Sequence, residues 1–145
     1  MPPANPWQSY KQVATQTAPP GQLVLMLYDG ALRFLEQARL GFGYDDPLEF
    51  NLTINNNVLR AQAIINELNL CLDMQAGGEF SATMRRLYNY FDAQLQQSNQ
   101  HKTIGGINEV IGRVTVLRNA WAEMLRQHTS GAESQTGAFS LAVAG

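Results

Sequence analysis

The residues best suited to chemistry are too few and too widely spaced to build a catalytic or metal site. A carboxylate-bridged metal centre in a helical protein uses Glu residues and Glu-x-x-His pairs. The chain has two histidines, His101 and His128, and neither has an acidic residue three positions before it. The single cysteine, Cys71, lies inside an apolar helical pattern without a neighbouring base. These features make Cys71 a poor nucleophile and a small core residue.

Glycine is placed for turns rather than for phosphate binding. The pairs Gly77-Gly78 and Gly105-Gly106 lie between helical patterns, and neither belongs to a P-loop or a dinucleotide fingerprint. The sequence therefore predicts no enzyme activity, no metal site and no cofactor.

The composition excludes several classes of partner. The 145 residues carry a net charge of −2, and only 15% of them are charged. Lys and Arg are scattered, so no cluster indicates binding to nucleic acid or to an anionic membrane. There is no amino-terminal signal region and no apolar run long enough for membrane insertion. We therefore expect a soluble protein of a reducing compartment.

The apolar periodicity predicts four helices and no strand. Their expected bounds are Pro20 to about Gly41, Pro47 to Asp73, Glu79 or Ser81 to Ser98, and Ile104 to Gln127. Short connections between them favour an all-α, antiparallel up-down-up-down four-helix bundle. We assign residues 19–128 to this bundle domain, residues 1–18 to a flexible amino-terminal arm and residues 129–145 to a disordered tail.

The first two helices carry more apolar surface than one core face requires. The first has two adjacent stripes, Leu23, Leu27, Ala31, Phe34 and Ala38, and Val24, Leu25, Tyr28, Leu32 and Leu35. The second has a core stripe of Phe50, Ile54, Val58, Ala61, Ile65, Leu68 and Leu72. A further stripe is rotated from the core stripe by roughly 140° about the helix axis. It consists of Leu48, Leu52, Leu59, Ala63 and Leu70 and is bordered by Asn55, Gln62 and Asn66. Either neighbouring helices cover this further stripe, or it binds a partner.

The last two helices each show one core stripe. In the third helix it is Met84, Leu87, Tyr88, Phe91 and Leu95, with Tyr90 directed elsewhere and Arg85, Arg86 and Asp92 facing water. In the fourth helix it is Ile107, Val110, Ile111, Val114, Leu117, Trp121, Met124 and Leu125, with Val116 and Ala120 off that face. Gly105, Gly106 and Gly112 each weaken the fourth helix by about 1 kcal/mol relative to alanine, so we expect its first half to fray.

A binding function explains the excess apolar surface better than catalysis does. An apolar groove bordered by amides suits an amphipathic helix or an extended segment, because Asn and Gln satisfy backbone groups without desolvating a charge. The arm carries Trp7, Tyr10 and Val13, which suit docking on such a groove. Two alternatives remain open: a homodimeric structural or adaptor bundle, and a bundle that encloses a small apolar ligand.

A series of short motifs stands in order along the chain. They are Tyr10-x-x-Val13, Thr17-Ala18-x-Pro20, Leu23 with Met26-Leu27-Tyr28-Asp29-Gly30-Ala31, Arg60-Ala61-x-x-Ile64-Ile65-x-Glu67-Leu68, Leu87-Tyr88-x-Tyr90, Asn108-Glu109-Val110 and Leu117-Arg118-x-Ala120-Trp121. Over about residues 10–126, these motifs resemble the flagellin-specific export chaperones of the FliS family. One departure is Pro19, which stands where the family usually carries serine. The first helix therefore lacks a hydroxyl N-cap worth about 1 kcal/mol.

The resemblance implies a non-enzymatic bundle in the bacterial cytosol that binds the disordered carboxy-terminal segment of flagellin. Such a chaperone prevents premature polymerisation and escorts flagellin to a component of the export gate, and other flagellar regulators are further candidate partners. In the family the arm can cover the groove when flagellin is absent, which implies that Tyr10 is a displaceable cap. We place the groove on the further stripe of the second helix, so the expected flagellin-binding residues are Leu48, Leu52, Asn55, Leu59, Ala63, Asn66 and Leu70.

Overall fold

The computed structural model describes residues 20–130, which form four long helices. They are α1 (Pro20–Gly41), α2 (Pro47–Leu70), α3 (Gly78–His101) and α4 (Gly105–Ser130). The expected arm lies outside the described residues, and so does most of the expected tail. The exceptions are Thr129 and Ser130, which continue α4 past its expected end at Gln127. Within residues 20–130 there is no strand, and no helix is long and apolar enough to cross a membrane.

The four helices form a closed ring around one core. Each helix packs against its neighbours in the sequence, and α4 completes the ring against α1. The connections are short, at residues 42–46, 71–77 and 102–104, so consecutive helices run antiparallel. Arg118 Nε donates to Asp29 Oδ1 at 2.7 Å and joins α4 to α1. The predicted up-down-up-down four-helix bundle is confirmed.

The ends of α2 follow from its capping residues. A carboxylate oxygen of Asp46 accepts a hydrogen bond from the Glu49 N–H at 2.9 Å, and Pro47 is the first helical residue, as the sequence predicts. The helix ends at Leu70, three residues before the expected Asp73. It stops early because the Asp73 carboxylate accepts backbone N–H groups of the turn that follows.

Helix α3 is longer at both ends than the sequence indicates. It begins at Gly78 rather than at Glu79 or Ser81. The Ser81 hydroxyl instead donates to the Asp73 carbonyl at 2.8 Å, which fastens the first turn of α3 to the connection before it. At the other end the helix continues past Ser98 to His101, where the next residue adopts a left-handed conformation that closes it.

The core uses both predicted stripes of α1 and one face of each other helix. Buried side chains from α1 are Val24, Leu27, Tyr28, Ala31, Leu35 and Ala38, with Leu23, Leu25, Leu32 and Phe34 half-buried against them. Two core predictions are wrong. Met124 is 37% exposed, because it sits at the edge of the α4 face, and Cys71 is only half-buried, because it follows the last helical residue of α2.

Gly106 permits a close approach of α4 to α3. A β-carbon at this position would overlap the Ser98 hydroxyl oxygen and lie 2.9 Å from the Gln94 carbonyl oxygen. At Gly112 a β-carbon would meet nothing within 4 Å. The two glycines are therefore not equivalent: one is needed for helix packing, and the other only lowers helix propensity.

A pair of tyrosine hydroxyls spans the core between α1 and α3. The oxygens of Tyr28 and Tyr88 lie 2.6 Å apart in a buried hydrogen bond. Burial raises the pKa of both hydroxyls above the usual value for tyrosine. Near this pair, Trp121 Nε1 donates to the Gly21 carbonyl at 2.9 Å and holds the start of α1 against α4.

Candidate partner-binding groove

Four leucines on one side of α2 point into solvent. Leu48, Leu52, Leu59 and Leu70, which we call the leucine stripe, are 65%, 48%, 50% and 74% exposed. The opposite side of the helix is the core face, where Ile54, Val58, Ala61, Ile65 and Leu68 are buried. These five buried residues and four exposed leucines lie on the sides that the sequence predicts, whereas Ile64, which belongs to neither predicted stripe, is also buried. Isolated surface leucines are ordinary, but four exposed leucines along one side of a helix are typical of an interaction site.

Between the core and the leucine stripe, α2 meets α3 through polar side chains. Asn99 Nδ2 donates to Asn55 Oδ1 at 2.9 Å, and Gln62 Nε2 donates to Asp92 Oδ1 at 3.2 Å. Towards the far end of α2, Asn69 accepts from Arg85 Nε at its Oδ1 at 3.0 Å and donates from its Nδ2 to Asn89 Oδ1 at 3.0 Å. We call these contacts the amide seam.

The amide seam alters the roles that the sequence suggests for several residues. The expectation that Arg85 and Asp92 face water is wrong, since both are half-buried and hydrogen-bonded to α2. Asn55, predicted at the border of the groove, is half-buried and already bonded to α3, so it lies in the floor. Gln62 is buried in the same floor.

A repeat of seven residues in both helices could have revealed the seam. The α2 members are residues 55, 62 and 69, and their α3 counterparts are residues 99, 92 and 85. Seven residues are close to two helical turns, so each set lies along one side of its helix. Polar residues at such positions are normally read as a solvated face, which is why the sequence alone did not pair them.

The two remaining expected groove residues differ in their surroundings. Ala63 is half-buried and packs on the core, and Asn66 is exposed between Leu59 and Leu70. Across the seam, the facing side of α3 is small and polar: Asn89, Ala93 and Gln96 are exposed there. The groove therefore has an apolar wall on α2, a hydrogen-bonded floor and a polar wall on α3.

The leucine wall of the groove carries no charge, and the two charged side chains of the amide seam are hydrogen-bonded to amides of α2. Helix α2 carries only three charged residues, Glu49, Arg60 and Glu67, and none of them belongs to the leucine stripe. Arg60 lies on the other side, with its guanidinium carbon 5.8 Å from the centre of the Phe34 ring. A surface of this kind fits an amphipathic helix whose apolar face meets the leucines.

A cavity elsewhere in the bundle is too small for the alternative of an enclosed apolar ligand. It is lined by the Tyr28 and Tyr88 pair together with Cys71, Phe80 and Trp121, and its volume of about 10 Å³ suits one water molecule. Among residues 20–130 no group of His, Cys, Asp and Glu side chains is arranged to hold a metal ion.

The predicted cap, Tyr10, lies outside the residues that the structure describes. Its position on the groove therefore stays a prediction, and the groove described above consists of α2 and α3 alone.

Several known proteins that are similar to this chain belong to one family. The sequence model of the family described as flagellar protein FliS matches residues 3–128. The flagellar secretion chaperone FliS of Bacillus subtilis is 39% identical over 132 residues, which cover 88% of this chain and 95% of that protein. The chaperone of the same name from Campylobacter jejuni is 32% identical, covering 85% and 93% of the two chains. That of Salmonella typhimurium is 31% identical, covering 81% and 87%.

Proposed function

Because this chain belongs to the FliS family of flagellar secretion chaperones, we propose that it binds the carboxy-terminal segment of flagellin in the bacterial cytosol and escorts it to the flagellar export gate. The observation that carries the proposal is the leucine stripe exposed beside the amide seam. By binding this segment, the chaperone keeps flagellin from polymerising before export. This role requires no catalytic group, metal or cofactor.

The leucine stripe supplies the affinity in this proposal. Fully burying one leucine side chain is worth roughly 1.5–3 kcal/mol, and the four leucines of the stripe are 48% to 74% exposed before binding. Together they contribute several kcal/mol, which offsets the roughly 2–5 kcal/mol needed to order a disordered partner segment. The amides of the floor and of the α3 wall accept and donate the polar contacts of the same segment.

The amino-terminal arm acts as the competitor for this groove. Tyr10 is ten residues before Pro20, where α1 begins. Ten extended residues span up to about 33 Å, so the arm reaches the end of α2 that carries Leu70. Displacement of Tyr10 by flagellin then couples cargo binding to release of the arm.

The deciding experiment is calorimetric titration of the full chain with the carboxy-terminal segment of flagellin from the same organism. We expect saturable one-to-one binding with a negative heat-capacity change, the signature of apolar burial. Leu59→Asp should weaken binding by at least about thirtyfold, because it removes a buried leucine and leaves an unpaired carboxylate in the interface. Its circular dichroism and urea midpoint should stay close to those of the parent, since Leu59 is 50% exposed.

Val116→Asp is the matched control, because Val116 is also exposed but lies on α4. It should leave flagellin binding unchanged. Equal loss in both variants, or unfolding of Leu59→Asp, would show that the stripe is not the binding surface. Absence of binding by the folded parent would contradict the proposal itself.

The same stripe also offers a surface for a second copy of the chain, which is the competing explanation of its exposure. Sedimentation at micromolar concentration distinguishes the two. A monomer that becomes a one-to-one complex with flagellin supports the chaperone, whereas a dimer that Leu59→Asp dissociates supports the structural alternative.

A further inference from the structure

A second row of exposed apolar side chains lies on α4, away from the groove. Val116 is 67% exposed and Met124 is 37% exposed, and Ala120 between them is also exposed. The three residues are spaced by four, so they follow one another along one side of the helix. We call this row the α4 strip. The proposed flagellin groove does not use it.

Contacts one turn earlier show which neighbour the α4 strip faces. Tyr90 of α3 donates its hydroxyl to Glu109 Oε2 at 2.6 Å, and the Arg113 guanidinium carbon lies 5.6 Å from the centre of the Tyr90 ring. Glu109 and Arg113 belong to the same side of α4 as the strip. The strip therefore runs beside α3 from this polar cluster towards the carboxy-terminal end of α4.

The segment that follows α4 in the sequence has the composition to cover the strip. Residues 131–145 read GAESQTGAFSLAVAG and contain no charge after Glu133. Phe139, Leu141 and Val143 alternate with small residues, so in an extended chain all three face the same way. Glycine at positions 131 and 137 suits the reversal of direction that a return along α4 requires.

The dimensions of the two rows match. Alternate residues of an extended segment are about 6.6 Å apart, and residues four apart in a helix are about 6 Å apart. In an antiparallel arrangement Phe139 meets Met124, Leu141 lies over the small Ala120 and Val143 meets Val116. Met124 is about 9 Å of helix from Ser130, whereas residues 131–138 span up to about 26 Å, so the turn is not strained.

We propose that residues 138–143 fold back and dock on the α4 strip as an extended segment. The chain thus covers this second apolar face with its own tail, in a place separate from the α2–α3 groove.

Cysteine trapping in the full chain tests the docking directly. In a Cys71→Ala background, the pair Val116→Cys and Val143→Cys should form an intramolecular disulfide under mild oxidation. The comparison pair, Leu59→Cys and Val143→Cys, places the first thiol on the leucine stripe instead, where Leu59 is also exposed. We expect the first pair to close at least about tenfold faster, because docking raises the effective concentration of the two thiols. Equal rates, or disulfides formed between two chains, would overturn the proposal.

A second measurement does not depend on introduced cysteines. Leu141→Asp should shift the backbone amide resonances of residues 113–124 and 83–90, because a carboxylate cannot stay on an apolar strip. Ser134→Asp is the matched control within the same segment and should leave those resonances in place. Shifts confined to the tail in both variants would contradict docking. Flagellin binding is expected to be intact in both, so failure here is distinct from failure of the chaperone proposal.

Discussion

At the scale of single residues, the hydroxyl pair of Tyr28 and Tyr88 is the most informative contact in the core. It joins two helices that are not neighbours in the ring, and it satisfies two polar groups that would otherwise be desolvated without a partner. Each hydroxyl therefore stabilises the fold partly by providing the other hydroxyl with a hydrogen-bond partner.

Removing one hydroxyl of the pair should lower the free energy of unfolding by more than half of what removing both hydroxyls does. Tyr28→Phe leaves the Tyr88 hydroxyl buried and unpaired, and we expect a loss of roughly 1–3 kcal/mol in the free energy of unfolding. In the double variant Tyr28→Phe/Tyr88→Phe no polar group is orphaned, so its loss should be smaller than the sum of the single losses. Urea unfolding of the parent, the two single variants and the double variant measures the coupling between the two hydroxyls. Additive losses would show that the hydroxyl bond is not formed.

The same pair makes a prediction about alkaline conditions. Burial raises the pKa of both hydroxyls above 10, so the unfolded chain loses these protons at a lower pH than the folded protein does. The stabilisation is therefore complete below about pH 10 and is lost progressively as the pH rises further. The parent should lose stability above pH 10 more steeply than Tyr28→Phe/Tyr88→Phe does. Parallel curves of unfolding free energy against pH would contradict this.

At the scale of helices, the two glycines of α4 should respond oppositely to alanine. Gly112→Ala meets open space and should stabilise the protein by up to about 1 kcal/mol through helix propensity. Gly106→Ala should destabilise it, because the new β-carbon would lie 2.9 Å from a backbone carbonyl of α3 that cannot move freely. Thermal unfolding of the two variants checks this, and a gain in both would show that the helices can separate without cost.

The four helices and their core faces could be predicted from the sequence because periodicity is a local signal. Ile54, Val58 and Ala61 on α2 are buried as their spacing indicates. Helix ends were harder to predict, since the end of α2 depends on which backbone groups the Asp73 carboxylate accepts from. The amide seam was missed because Asn55 and Asn99 are 44 residues apart, and nothing in either helix alone tells an amide that faces a partner from one that faces water.

The candidate site could be predicted in its apolar part but not in its polar part. Leu59 and Leu70 stand on the outer face of α2 by spacing alone, and they are exposed. Asn55 was placed at the border by the same spacing, but its partner on α3 places it in the floor. Tertiary hydrogen bonds are what decide between the two positions.

At the scale of the whole molecule, sparse charge should make partner binding insensitive to salt. The chain has a net charge of −2, and only 15% of its residues are charged. Raising the ionic strength tenfold, from about 0.01 M to about 0.1 M, shortens the Debye length from roughly 30 Å to roughly 10 Å. We expect the flagellin-segment affinity to change by less than about threefold over that range, because apolar burial rather than charge supplies the binding energy. A fall of tenfold or more would show that surface charges steer the complex.

The regular spacing of the amide seam creates a competing alignment of α2 on α3. Residue numbers sum to 154 in each pairing, 55 with 99, 62 with 92 and 69 with 85. A slip of seven residues, about 10.5 Å along the axis, would pair 62 with 99 and 69 with 92 and keep two polar layers out of three. The slip is opposed by the packing of the buried faces of α2 and α3 and by the connection, where the Ser81 hydroxyl bonds to the Asp73 carbonyl. A chain that joins α2 to α3 before this contact forms can therefore enter a misaligned hairpin, which it must leave before the bundle closes.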